Sequence, residues 1–276
     1  MEDFVTRFAP SPNGYLHLGH AFSALTAYRA AQAAGGRFLL RIEDIDIGRA
    51  RPEFEQAIYD DLTWLGLAWE KPVRRQSEHF ADYESTIDKL TDAGLTYPCF
   101  CTRKEIVAAG AIEGPEGLVY PGTCKHLSAS QRVARLEGGD RYALRLDMAK
   151  AVGLLAGPLS WVEESEGMVD ADPEGLGDIV LARKDIPTSY HISVVVDDAL
   201  QGVTHVIRGR DLYDATPVHR LLQELLGLPQ PIYHHHRLVE DDAGTRLAKS
   251  KGSPALKDLR AAGESPNAVL QAIGLE

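Results

Sequence analysis

Strand-like and helix-like segments alternate from the N-terminus of this 276-residue chain, and that order is the tightest constraint on its fold. A short apolar run with Phe4, Val5 and Phe8 leads through a loop into "AFSALTAYRAAQAAGG". That stretch is alanine-rich, reads as a helix and is stopped by Gly35-Gly36. "GRFLLRIEDID" follows as a strand carrying Phe38, Leu39, Leu40 and Ile42, and it ends in acidic residues. "RPEFEQAIYDDLTWLGL" sets Phe54, Ile58, Leu62 and Leu65 at helical spacing. "HFADYESTIDKLTDAG" does the same with Phe80, Tyr83, Ile87 and Leu90 before Gly94. The β-α-β-α order predicts an α/β protein with a parallel sheet covered by helices.

The rhythm breaks in the middle. "YPCFCTRKEI" precedes a Gly/Pro-rich segment, Gly110 to Gly122, and then Cys124. Thr102 and Glu105 form a capping-box pattern that predicts a short helix there. Tyr97 to Met148 reads as an inserted module, and 150–177 as loop-rich with a turn cluster at "ADPEGLGD". "DIVLARKD" and "THVIRGRD" then read as strands. "TPVHRLLQELLGL" reads as a helix with Thr216 as N-cap and Pro217 in its first turn. After Ser250 only 26 residues remain, with two short helical patterns. No repeat or low-complexity segment interrupts this plan.

Apolar residues make up 44% and charged residues 25%, as in ordinary soluble domains. No apolar run reaches membrane-spanning length, and "MEDFVTRF" lacks the basic start and apolar core of a signal peptide, so a cytoplasmic protein without membrane contact is expected. Three cysteines, an odd number, do not suggest a disulfide framework. The net charge of −11 disfavours sequence-blind binding to polyphosphate but leaves room for local basic faces. "KPVRR" (Lys71 to Arg75) reads as a solvated surface cluster, and "RLAKSKG" (Arg246 to Gly252) as a loop able to reach phosphates.

Between the first strand and helix lies "RFAPSPNGYLHLGH", Arg7 to His20. Pro10, Pro12 and Gly14 suit neither helix nor strand interior, so this is a shaped loop. A strand, a glycine-bearing loop and a helix N-terminus together suit an anion. His17 and His20 flank Leu18-Gly19 at that terminus, where imidazoles can donate to a phosphate whose charge grows during reaction. Gly19 would let a flat ring approach the backbone. Neither a P-loop nor a dinucleotide fingerprint is present. Far downstream, "TRLAKSKGS" offers Lys249 and Lys251 to phosphates.

Together, "PSPNGYLHLGH" and "RLAKS" resemble the HIGH and KMSKS signatures of class I aminoacyl-tRNA synthetases. "RFAPSPNGYLHLGH" with "RIEDID" is similar to the glutamyl and glutaminyl branch. The resemblance runs from Thr6 to Ser253, with Leu18 in place of isoleucine, and Arg246, Leu247 and Ala248 in place of Lys, Met and Ser. It implies an ATP site at His17, Gly19, His20 and Lys249, with Mg²⁺ accompanying the nucleotide, and with His17, His20 and Lys249 catalytic. It further implies glutamate contacts at Arg7 and Arg208, whose guanidinium forks suit carboxylates. Glu43 would receive the α-ammonium group, and Phe8, Ala9, Pro10, Ser11 and Tyr190 match further substrate contacts. Full-length glutamyl enzymes carry an anticodon-binding region after the lysine loop. The short segment here is similar to the family's short paralogues, which attach glutamate to the queuosine base of tRNA(Asp). ATP, L-glutamate and queuosine-bearing tRNA(Asp) are the partners this implies, with a monomer expected.

All three cysteines fall in the insertion. Cys99 and Cys101, two apart, can face one side of a strand and share an ion with Cys124. Structural zinc takes four ligands. His126 is the usual chemical choice for the fourth, whereas the family pattern C-x-C…Y-x-x-x-C implies Tyr120. In "YHHHRL" (Tyr233 to Leu238), consecutive histidines alternate across a strand and do not converge on a metal. The stretch reads as a strand leading to the lysine loop, with one histidine near the nucleotide.

The expected plan is thus a Rossmann-type parallel-sheet core split by a zinc-bearing insertion, with a short helical C-terminal segment. Its parts are residues 1–96 and 149–250 for the core, 97–148 for the insertion and 251–276 for the terminal helices. The activity expected is ATP-dependent activation of glutamate and its transfer to queuosine in tRNA(Asp). Three other readings stay open from sequence: a truncated enzyme charging tRNA(Glu), an activating enzyme with a non-tRNA acceptor, and a non-enzymatic zinc-containing RNA-binding module.

Overall fold

A computed structural model describes residues 3–240 and 254–275. The first half follows the predicted alternation: β1 (Val5–Phe8), α1 (Leu18–Ala33), β2 (Arg37–Ile42), α2 (Pro52–Trp64), β3 (Arg74–Arg75) and α3 (Phe80–Asp92). The insertion region contributes β4 (Thr96–Cys99), α4 (Arg103–Ala108), β5 (Ile112–Gly114), β6 (Gly117–Val119), α5 (Ala129–Glu137) and β7 (Ala143–Leu146). Next come α6 (Met148–Gly153), β8 (Leu159–Glu163), β9 (Gly167–Ala171), β10 (Val180–Ala182) and α7 (Tyr190–Leu200). The chain then forms β11 (His205–Gly209), α8 (Thr216–Leu226), β12 (Ile232–His236), α9 (Leu256–Ala261) and α10 (Pro266–Ile273). No helix among the described residues is long and apolar enough to cross a membrane.

Strands β1, β2 and β3 pair in parallel, as do β11, β12 and β8, while β9 adds an antiparallel edge. The two sheets meet where β1 lies beside β11, with Thr204 donating its N–H to the Val5 carbonyl at 2.9 Å. Helix α1 lies close to the sheet because Ala21, Ala24, Ala27 and Ala31 are buried and small. It ends at Gly35, whose φ of +63° is left-handed, and a Cβ on Gly36 would overlap the Phe4 carbonyl. Leu256, Val269 and Ile273 bring the two C-terminal helices onto this same core. Strands β4, β7 and β10 form a separate antiparallel sheet.

Four details differ from the sequence reading. The stretch 150–177 holds the β8–β9 hairpin, with Leu159, Trp161 and Glu163 alternating inward. "DIVLARKD" does form a strand, but it joins the antiparallel sheet beside β7. Thr216 is not an N-cap: Ala215 holds that position, and the Thr216 hydroxyl instead accepts from Arg208 at 2.9 Å. "KPVRR" is no solvated cluster, since Arg74 reaches buried Asp197 at 2.7 Å and Arg75 pairs with Glu55.

That Asp197 belongs to a charged knot that ties the two halves of the sequence. Asp197 and Asp198 follow each other near the end of α7. Asp198 accepts from Arg7 of β1 at 3.0 Å and from Arg41 of β2 at 2.8 Å. Asp197 accepts from Arg74, Gln76 and Tyr83, and lies 3.7 Å from the Arg41 Nε. Burial opposes the charge on Asp198, but Arg7 and Arg41 outweigh it and hold the carboxyl below its usual range. Removing one member of such a buried cluster leaves charges without a partner. Asp197→Ala should therefore lower stability by about 3–5 kcal/mol, read as a reduced urea midpoint by tryptophan fluorescence. An unchanged midpoint would mean the knot does not hold the halves together.

Candidate active site

In open α/β sheets, ligands bind beyond the carboxyl ends of the strands where strand order reverses. Here that point lies between β1 and β11, and a cavity of about 400 Å³ opens there. Arg7, Phe8, Ala9, Pro10, Ser11, His17, Gly19, His20, Glu43, Tyr190 and Arg208 all line it, so the structure brings together every sequence-predicted substrate residue among those described. Lys249, Lys251 and the rest of the lysine loop lie outside the described residues.

The two signature histidines cap α1 in an unusual way. His17 is the N-cap, and its Nδ1 accepts the Gly19 N–H at 3.1 Å. His20 reaches back, and its Nδ1 accepts the His17 N–H at 3.2 Å. These bonds satisfy helix-terminal donors and occupy both Nδ1 atoms as acceptors. A neutral ring so held carries its proton on Nε2. The H-x-G-H spacing thus fixes two imidazole tautomers at the end of a helix dipole that favours negative charge.

Arg208 is 4% exposed. Its Nε donates to His235 Nε2 at 2.9 Å, and its Nη2 donates to Thr216. Its Nη1 faces His219 Nδ1 at 3.1 Å and the Tyr190 hydroxyl at 3.4 Å, and its plane lies over Tyr233. His235 is neutral, its pKa pushed down to about 2 by burial and by Arg208. Burial and Arg208 also hold His219 well below its usual value. No carboxylate among the described residues pairs directly with this buried guanidinium. A fixed anion acts on it through an imidazole: His235 Nδ1 donates to fully buried Glu163 at 2.6 Å. A buried cation with neutral first partners is costly unless an anion joins it.

Glu43, at the end of β2, lies 3.3 Å from Arg41 on the cavity wall. Burial pushes its carboxyl above the usual range, against the pull of Arg41 and Arg7. A cation entering beside it would favour its charged form. Of the three consecutive histidines, His236 lines the cavity and His235 supports Arg208 from behind. The sequence reading missed Asp198, His219 and His235. An acidic pair closing the apolar run "SVVV" was the available cue for Asp198.

A second cavity, of about 550 Å³, adjoins the first and shares Ser11, Asn13, Glu43 and Tyr190 with it. Its far wall comes from the insertion, including Glu116, Tyr120 and Arg145. Beyond that wall the Sγ atoms of Cys99, Cys101 and Cys124 lie within 4.8 Å of one another. The Tyr120 hydroxyl is 3.5 Å from Cys101 Sγ and accepts the Cys124 N–H at 2.7 Å. Its ring is fixed under the Arg145 guanidinium, 3.9 Å away. His126 is exposed and does not belong to this group.

The family model for tRNA synthetases class I (E and Q), catalytic domain, matches residues 3–276. The chain is 50% identical to the Glutamyl-Q tRNA(Asp) synthetase of Rhodobacter capsulatus, over 98% of this chain and 100% of that one. It is 46% identical to the protein of the same name from Nocardia farcinica, covering 96% of this chain and 81% of that one. The solved glutamate-tRNA synthetase of Elizabethkingia anophelis superposes with a TM-score of 0.77 at 29% identity, over 91% of this chain and 53% of that one. The chain belongs to the class I glutamyl and glutaminyl tRNA synthetase family, and it is a ligase of that class.

Proposed function

We propose that this ligase activates L-glutamate with ATP and transfers it to the queuosine base of tRNA(Asp). The observation that carries the amino-acid assignment is Arg208, a buried cation held by neutral groups in the same cavity as the histidine-capped helix. A side-chain carboxylate supplies the missing anion, whereas the amide of glutamine does not. Glu43 receives the α-ammonium group, and Arg7, Ser11 and Tyr190 complete the substrate wall. An α-carboxylate oxygen attacks the α-phosphorus of ATP, and pyrophosphate leaves as glutamyl-adenylate forms. The Nε2–H groups of His17 and His20 stabilise charge on the phosphoryl oxygens. Lys249 holds the β- and γ-phosphates, and Mg²⁺ arriving with ATP would neutralise part of their charge.

Glutamate-dependent exchange of pyrophosphate into ATP, without tRNA, tests this first step. Arg208→Gln should raise the KM for glutamate by about 100-fold, since a charge-assisted bidentate contact is worth roughly 1.5–3 kcal/mol. His20→Ala should cut the exchange rate by about 10²-fold by removing one donor to the developing charge. Unchanged exchange in both variants would remove the site assignment.

The three thiols and the Tyr120 hydroxyl make a four-donor set suited to structural zinc. Purified protein should then contain about one zinc per chain, the stoichiometry of a single closed site. Tyr120→Phe should weaken retention against a chelator, and His126→Ala should not. A metal-free protein with three titratable thiols would end the zinc reading.

The acceptor rests on the likeness to proteins named Glutamyl-Q tRNA(Asp) synthetase, one of which this chain covers in full. Labelled glutamate should join tRNA(Asp) carrying queuosine and spare the same tRNA carrying guanosine there. An isolated queuosine-bearing anticodon stem-loop should remain a substrate. Label on the terminal adenosine of tRNA(Glu) would favour the truncated charging enzyme instead.

A further inference from the structure

Glu116 lines the second cavity as Arg208 lines the first, though it sits at an exposed hairpin tip where Arg208 is buried. It lies in the turn of the β5–β6 hairpin, between the paired residues Gly114 and Gly117, and lines the cavity together with His191. Its carboxylate is 3.5 Å from His191 Nε2. Burial pushes its pKa up, with Arg208 pulling the other way. His191 does not neutralise it, because burial and Arg208 lower the imidazole to about pKa 4.

A line of hydrogen bonds fixes which face His191 shows to Glu116. Arg208 can only donate, so His219 Nδ1, 3.1 Å away, accepts. The remaining proton of His219 sits on Nε2, which meets His191 Nδ1 at 3.2 Å. His191 therefore keeps its own proton on Nε2, directed at Glu116.

The other charged groups around this cavity are held by closer contacts. Asp46 pairs with Arg49 and Arg183. Asp178 pairs with Lys125 and accepts from Tyr97. Asp44 accepts from the backbone and hydroxyl of Ser77, and Glu43 pairs with Arg41. Arg145 donates to the Asp178 carbonyl and stacks on Tyr120. Asp44 and Glu116 are the carboxylates of this cavity with no cationic partner among the described residues. Asp44 accepts two hydrogen bonds from Ser77 at 2.8 and 2.6 Å, whereas Glu116 has the single 3.5 Å contact to neutral His191.

We propose that Glu116, oriented by His191, is the subsite for a positively charged group of the acceptor. Resting on the acceptor reading above, that group is the secondary ammonium joining the queuosine cyclopentene ring to its deazaguanine. The two cavities then offer opposite charges: Arg208 for the amino acid's carboxylate and Glu116 for the acceptor's amine. Their common wall of Ser11, Glu43 and Tyr190 sits between these two charges. An ammonium held at Glu116 carries the attached ring, with its nucleophilic hydroxyls, toward that wall and the activated carboxyl.

The test is steady-state transfer of labelled glutamate to a queuosine-bearing anticodon stem-loop, with rates expressed per active site titrated by adenylate formation. Glu116→Gln should raise the stem-loop KM about tenfold, with a smaller change in kcat, as expected for losing one charge-assisted contact. Glu116→Asp should fall between wild type and Gln, and Glu116→Lys should exceed Gln through repulsion. A wild-type KM in both the Gln and Lys variants would overturn the subsite while leaving the acceptor reading intact. A wild-type enzyme that labels only the terminal adenosine of tRNA(Glu) would overturn the acceptor reading and this subsite with it.

Discussion

The buried pair Asp197-Asp198 is the constraint on which the site geometry depends. Two adjacent carboxylates on α7 clamp arginines from β1, β2 and β3, residues 123 or more positions away in sequence. Such a cluster contributes little net stability over a well-packed apolar core, because desolvation offsets most of the attraction. It does impose register. Arg7 and Arg41 cannot both reach Asp198 unless β1, β2 and α7 hold one arrangement, and that arrangement sets Glu43 and Tyr190 on one cavity. As consecutive helix residues the two acids point in different directions and divide the partners, Asp198 taking Arg7 and Arg41 while Asp197 takes Arg74, Gln76 and Tyr83.

The same economy of charge explains the histidines. Arg7 is neutralised within the protein by Asp198, whereas Arg208 is surrounded by imidazole, hydroxyl and ring. A carboxylate in direct contact with Arg208 would satisfy it and lower its attraction for an incoming anion. Neutral His235 instead fixes the guanidinium by accepting from Nε, and passes its own proton toward Glu163 one layer back. The buried anion is near enough to offset the cost of the cation and too far to replace a ligand. Burial and the arginine's own field keep His191, His219 and His235 unprotonated, so this balance persists across neutral pH.

Much of this was legible in sequence, for identifiable reasons. Helices α2 and α3 announced themselves because each buries one apolar stripe at 3.6-residue spacing, and α1 because it is alanine-rich and stopped by Gly35-Gly36. The loop from Arg7 to His20 was legible because its residue types are costly anywhere else. Helix α7 was not, since "ISVVVDDAL" is rich in β-branched residues that favour strands, and burial between α3 and α8 overrides that preference. The β8–β9 hairpin was hidden by charged residues, among them Glu163, which faces inward only because His235 awaits it. Long-range pairing of this kind leaves no local pattern. Thr216 misled for a similar reason: its position suits a cap, but a buried arginine claims its hydroxyl.

The capping arrangement at α1 explains why the signature needs histidine at both positions and three residues apart. Serine or aspartate would cap the helix as well, and either would satisfy the terminal N–H groups. Neither has the second ring nitrogen that the proposed phosphate contact would use. Imidazole has two nitrogens, so it can spend Nδ1 on the helix and keep Nε2 as a donor. The reciprocal bond holds the rings with centroids 3.9 Å apart, close enough to address neighbouring oxygens of one phosphoryl group. A stabilising element of secondary structure and a preorganised pair of donors are therefore the same two side chains. Substituting asparagine at either position would keep part of the cap and lose the ring donor, which separates the helix-forming role from the proposed phosphate-binding one.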